Sequence, residues 1–144
     1  MDHVKVIFSR SPNIGSLFLR TFMWSAWSHS AVIDGDEVIE ATMTKGVTVR
    51  TLSDFKNHAS KWEIIEIPTE DPAAVIKAMR SQVGKRYDYF GVLGIYVGFH
   101  RRWQEDDCWF CSEIIAWAFS EAGTPLFRTD TWRILPRDIY IRTY

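Results

Sequence analysis

Hydrophobic residues along this chain recur at two spacings. The run VKVIF at 4–8 is rich in β-branched residues and predicts a strand. In SHSAVIDGDEVIEA at 28–41, two β-branched runs flank Asp34-Gly35, which predicts a hairpin with a type I′ turn at those two residues. GVTVRTL at 46–52 and WEIIEIP at 62–68 predict further strands, and DIYIRTY at 138–144 a closing one. Helical spacing appears elsewhere. DPAAVIKAMRSQVGK at 71–85 carries its own boundary signals: Asp71 can cap, Pro72 suits the first turn and Gly84 the end. The stretch 108–122 predicts a helix ended by Gly123 and Pro125. In it Cys111, Ile114, Ile115, Ala118 and Phe119 follow i, i+3, i+4, i+7, i+8, the spacing of one buried stripe. The apolar segment at 11–27 holds Pro12 and Gly15 and predicts a loop leading into a short helix at 17–24; 86–107 is expected to be irregular. The order β, α, several β, α, α, β predicts an α+β domain, an antiparallel sheet packed against helices.

Composition narrows the class. The 144 residues suit a single domain, 1–144, and 47% apolar residues with seven Trp provide an ample core. Net charge is -1, and the basic residues of HRRW at 100–103 are offset by EDD at 105–107, so nucleic acid is not an expected partner. The N-terminus lacks a basic start followed by an apolar run. The longest apolar stretch, at 89–99, carries three glycines and falls short of the ~18 residues of a membrane span. With no secretory signal a cytoplasmic protein is expected, although a phage or viral protein would read the same. Two cysteines do not make a secreted disulfide scaffold.

Those two cysteines, Cys108 and Cys111, lie three residues apart. Cys111 falls on the inward stripe near the helix start, with Cys108 one turn earlier. A thiol at a helix N-terminus feels the positive end of the dipole and free backbone N–H groups, which favour the thiolate and suit a nucleophile if a base is near. A buried Cys is equally at home as a small hydrophobe. A redox Cys-x-x-Cys wants a strand immediately before it, whereas here an acidic, irregular stretch is expected. A zinc site needs about four ligands, and His3, His29, His58 and His100 show no paired ligand spacing; no metal is expected.

The hairpin offers a base. A turn at Asp34-Gly35 sets His29 opposite Glu40, and a turn at Gly35-Asp36 sets Ala31 opposite Glu40 with His29 as its diagonal neighbour. In both registers His29 and Glu40 share one face, within reach of each other. A carboxylate orienting an imidazole is the base half of a nucleophilic triad. Ala31, Ile33 and Val38 share that face, so it is expected to be covered, and a satisfied core pair is the competing reading.

WSHSAVID with VIEA, then GKRYDYFG, FCSEII and LPRDI, in that order, resemble the circularly permuted papain-like amidases, the YiiX-like branch of the NlpC superfamily. In that family the His-bearing strands precede the Cys-bearing helix, as His29 precedes Cys111 here. The resemblance implies a permuted papain-like fold and a cysteine hydrolase that needs no cofactor. It implies Cys111 as nucleophile, His29 as general base, Glu40 as the polar residue orienting it, and Tyr87 as a helper at the oxyanion. The implied substrate is an amide, such as a peptide bond in a cell-wall fragment. A lipid or thioester acyl hydrolase or transferase on the same fold is the alternative, with the apolar segments near 16–24 and 89–99 lining an acyl groove. A non-catalytic binding module is the third, against which stand the intact His29, Glu40 and Cys111. The segment GVLGIYVGFH at 91–100 departs from the family pattern and reads either as a groove wall or as core packing.

Overall fold

The computed structural model describes residues 2–11, 27–42, 45–87, 108–109, 111–127 and 138–140, with Tyr87, Cys108 and Trp109 described in backbone only. The expected helix at 17–24 and the segment 91–100 lie outside these residues. Five strands form one sheet: β1 (Asp2–Arg10), β2 (His29–Asp34), β3 (Glu37–Thr42), β4 (Gly46–Thr51) and β5 (Lys61–Thr69), in the order β4-β3-β2-β1-β5. Every neighbouring pair within it is antiparallel. Among the described residues three helices of two turns or more accompany it: α1 (Leu52–His58), α2 (Pro72–Ser81) and α3 (Cys111–Glu121). A two-residue parallel pair, β6 (Arg86–Tyr87) with β7 (Cys108–Trp109), lies just before α3. The architecture is α+β, as the pattern predicts. No helix among the described residues is long and apolar enough to cross a membrane.

Period-2 alternation gives the sheet two apolar faces. One presents Val4, Val6, Phe8, Val32, Ile39, Val47, Ile65 and Ile67 to the main core, completed by Val75 and Met79 of α2 and by Ile114, Ile115, Ala118 and Phe119 of α3. All five residues of the predicted α3 stripe are buried. The opposite face carries Ile7, Ala31 and Val38, closed over by Phe55 of α1. The helix at 71–85 has the expected start: the Asp71 side chain accepts from the Ala74 N–H at 2.9 Å, and Pro72 occupies the first turn.

Three expectations are corrected. The hairpin turn lies at Gly35-Asp36, since Asp34 pairs with Glu37; Gly35 takes φ +62, which glycine adopts without strain. Arg80 of α2 fixes this register by gripping Asp34 at 2.5 Å and Glu37 at 2.8 Å. Second, 138–140 form a helical turn and not a strand. Ile139 is fully buried, and the Tyr140 ring meets Phe8 edge-on at 5.5 Å while its hydroxyl donates to Glu63 at 3.1 Å. Adjacent residues that both face the core override the alternation. Third, the strand at 46–52 stops at Thr51 and α1 begins, with Asp54 N–H donating to the Thr51 hydroxyl at 3.2 Å. The Thr-x-x-Asp signature of a helix start is visible in the sequence at 51–54.

Gly46 ties the sheet to the segment that leads into β6. The Val47 N–H donates to the Lys85 carbonyl at 2.7 Å, and the Gly84 N–H returns to Val47 O at 2.9 Å. Gly46 has φ +68, and a Cβ there would sit 2.1 Å from Lys85 O; at Gly35 a Cβ would meet nothing within 4 Å. Gly35→Ala is therefore expected to lose only the left-handed conformational term, about 1 kcal/mol, and Gly46→Ala that term plus a backbone clash, about 3 kcal/mol together. Urea unfolding of the two variants checks this; equal losses would refute the clash.

Candidate active site

The site is assembled from the start of β2, the middle of β3, the end of β4 and the start of α3. With Ile33 on Val38 and Asp34 on Glu37, Glu40 stands diagonally from His29 on the α1 face. The His29 Nε2 lies 2.5 Å from Glu40 Oε2. His29 retains 23% of its side-chain exposure and Glu40 1%.

Behind Glu40 stands Arg50. The pairing of Val38 with Arg50 and of Glu40 with Thr48 sets Arg50 diagonal to Glu40, on the side away from His29. Its Nε lies 2.6 Å from Glu40 Oε1, and its Nη2 donates to Oε2 at 3.4 Å. The Nε contact is too poorly aligned to count as a hydrogen bond and acts as an ion contact. Nη1 extends to Asp54 Oδ2 at 3.5 Å. Phe55 roofs the group: its ring stacks on His29 with centroids 5.8 Å apart, and the Arg50 guanidinium sits 4.8 Å from its centroid.

Cys111 is the first residue of α3 and is 5% exposed. Its thiol lies close enough to the His29 imidazole and to Ser30 for both to act on its charge. Both partners are terminal, His29 opening β2 and Cys111 opening α3, so the ring meets the thiol across the end of the strand. The structure thus brings together Cys111, His29 and Glu40. Cys108 is not one helical turn before Cys111, because 108–109 pair as strand β7. The same pairing sets Tyr87 beside Trp109, two residues before Cys111; the Tyr87 side chain lies outside the described residues. Among the described residues no three His, Cys, Asp or Glu side chains group as a metal site requires.

Burial opposes every charge in this group, and the neighbours reverse it. At His29, burial lowers the pKa, but hydrogen bonds and charge from Cys111 and Glu40 carry it from 6.5 up to about 10. At Glu40, burial raises the pKa; the imidazole and then Arg50 outweigh it and hold the carboxyl below the usual range. At Cys111, burial again raises the value, and His29 with the Ser30 donors draws the thiol below its ordinary 9.0. The arrangement favours a thiolate, an imidazolium and a carboxylate in series.

Sequence reasoning did not reach Arg50, Ser30 or Phe55. Arg50 had a signal, since in a strand where Val47 and Val49 face one side, Thr48 and Arg50 must face the other, with Glu40. Ser30 had none: it is an ordinary strand serine until α3 docks.

A chain with this sheet, this helix and a Cys–His pair in this order invites comparison with known proteins. Residues 2–141 match the model of the permuted papain-like amidase enzymes, the YaeF/YiiX or C92 family. The chain belongs to the permuted papain-like amidase family. Family membership supports a cysteine hydrolase of the peptidase type. Among curated proteins it is similar to Probable lipoprotein peptidase YaeF of Escherichia coli (strain K12), with 26% identity over 166 residues, covering 93% of this chain and 61% of that one. Among solved structures it is similar in fold to the metalloprotein yiiX of Escherichia coli O157:H7, with a TM-score of 0.61 and 20% identity, covering 84% of this chain and 66% of that one. The chain therefore spans less than two thirds of the length of either relative.

The charge of Glu40 sets a pH dependence. Because its pKa is lowered on folding, the stability it contributes is present above 4.5 and is lost as pH falls through the folded value. The raised pKa of His29 contributes stability fully present below 6.5 and lost as pH rises toward about 10. Glu40→Gln should therefore destabilise most between those two limits, by about 3 kcal/mol, with the gap to wild type narrowing at more acid and more alkaline pH. Urea unfolding of both proteins across pH reads the gap, and a gap independent of pH would contradict the assignment.

Proposed function

We propose that the chain hydrolyses an amide bond, with Cys111 as nucleophile, His29 as general base and Glu40 orienting the imidazole. The observation that carries this reading is the Cys111 thiol at a helix start, within reach of an imidazole whose far side is held by a carboxylate 2.5 Å away. His29 takes the thiol proton, and the thiolate attacks the substrate carbonyl carbon. The carbonyl π-bond electrons move to oxygen, where the Cys111 N–H at the start of α3 stabilises the charge; one such donor is worth ~3 kcal/mol. Tyr87, whose backbone runs beside β7, is the second donor in this reading. Collapse expels the leaving amine, which takes its proton from His29 and leaves a thioester at Cys111. Water, deprotonated by His29, attacks the thioester carbonyl and returns the free thiol and a carboxylic acid.

A peptide amide is the favoured substrate because the family is one of amidases and its curated relative is named a peptidase. The test is alkylation of Cys111 by iodoacetamide across pH, alongside turnover of matched peptide amides and acyl esters. Cys111 should label rapidly well below the ~8.5 of a free thiol, His29→Ala should abolish that, and Cys111→Ala should reduce amide turnover to background. Full amide turnover by Cys111→Ala would end the reading; turnover confined to esters would move the substrate to acyl chains.

A further inference from the structure

We propose that Arg50 is a positioning residue that holds the Glu40 carboxylate behind His29, so that the chain of groups reads Cys111, His29, Glu40, Arg50. The inference rests on the catalytic reading of Cys111 and His29. Nothing in that mechanism requires a cation behind the carboxylate, yet one is built into the sheet.

Three observations converge on it. First, Glu40 is 1% exposed, and its Oε2 is taken by His29 at 2.5 Å. Held by the imidazole alone, it would be a buried anion with one partner and a free rotation about its last torsion. Arg50 reaches both oxygens, 2.6 Å to Oε1 and 3.4 Å to Oε2, so the carboxylate is gripped from the side opposite His29. Second, Arg50 is itself held. Its Nη1 reaches Asp54 Oδ2 at 3.5 Å, and its guanidinium lies 4.8 Å from the Phe55 ring centroid, on the same ring that stacks against His29. One aromatic residue thus sets the height of both cations that flank Glu40. Third, the arrangement follows from register: Glu40 opposite Thr48 leaves position 50 as its diagonal neighbour on one face.

The chemistry makes the cation useful. A carboxylate can accept the imidazole N–H; a carboxylic acid offers one fewer lone pair and no charge to stabilise an imidazolium. The Arg50 guanidinium favours the ionised form of Glu40, against burial, which disfavours it. The titratable and charged groups around Glu40 are His29 on β2, Arg50 on β4 and, through them, Cys111 on α3 and Asp54 on α1; Asp54 in turn meets the exposed His58 at 3.4 Å.

Two readouts separate this proposal from the reading beneath it: the carboxyl ¹³C titration of Glu40, and the pH profile of Cys111 alkylation, each in wild type, Arg50→Gln and Arg50→Lys. The Glu40 midpoint should rise by about one to three pH units in Arg50→Gln, and the acid limb of Cys111 alkylation should move up with it. Arg50→Lys, which keeps the charge but loses the fork, should recover most of the titration shift. In a Glu40→Gln background, Arg50→Gln should leave the acid limb where Glu40→Gln put it. Arg50→Gln that folds and leaves the acid limb unmoved, while His29→Ala still abolishes Cys111 labelling, would overturn the role of Arg50 and leave the catalytic reading standing. Labelling of Cys111 indifferent to His29→Ala would overturn both, whatever Glu40 does.

Discussion

A carboxylate sits almost fully buried on the inner part of one sheet face, and much of the surrounding architecture answers to it. An isolated buried charge is costly by several kcal/mol, and removing one partner of a buried pair destabilises by about 3–5 kcal/mol. At Glu40 that penalty is offset because two basic side chains approach it from opposite sides, His29 from β2 and Arg50 from β4. Each comes from a neighbouring strand at a diagonal position, so the interaction exists only while three strands keep their register. Arg80 holds the hairpin end of that register from α2 through Asp34 and Glu37. Those contacts are partly exposed and individually weak; their value lies in setting alignment.

The sheet is used on both sides, and this divides the labour. The side facing α2 and α3 is a continuous apolar core, which fixes where the start of α3 docks. The side facing α1 is small and holds the polar chain of His29, Glu40 and Arg50 among Ile7, Ala31, Val38 and Phe55. Phe55 is the only residue of α1 that is fully buried, so the short helix acts mainly as a support for that ring. Covering the polar chain strengthens its electrostatics by excluding water, while His29 keeps 23% of its side-chain exposure.

Gly46 has a related role further along β4. The close contact of its Cα region with the Lys85 carbonyl brings the chain leaving α2 against the sheet edge. From there β6 pairs with β7, which delivers the chain into α3 at Cys111. A glycine that looks like an ordinary strand-start residue thus lies on the route that positions the thiol.

What the sequence determined by itself were features carried by local periodicity. Alternation over 28–41 was enough to place His29 and Glu40 on one covered face in either register, because side-chain parity does not depend on which two residues form the turn. The 3.6-residue stripe from Cys111 to Phe119 was enough to turn Cys111 inward, and Asp71 and Pro72 marked the start of the second helix, which ends at Ser81, three residues before the expected Gly84. Together with the order of motifs this made the permuted papain-like fold legible. Tertiary structure alone decided the rest. The turn at Gly35-Asp36 sets Asp34 opposite Glu37, where Arg80, a residue 43 positions beyond Glu37, bridges the two. The helical turn at 138–140 depended on a core that wanted both Ile139 and Tyr140, against their own alternation. The approach of Ser30 and His29 to Cys111 depended on where α3 docks, and the grip of Arg50 on Glu40 on a third strand. Local pattern reports which way a side chain points; only long-range packing reports what it meets there.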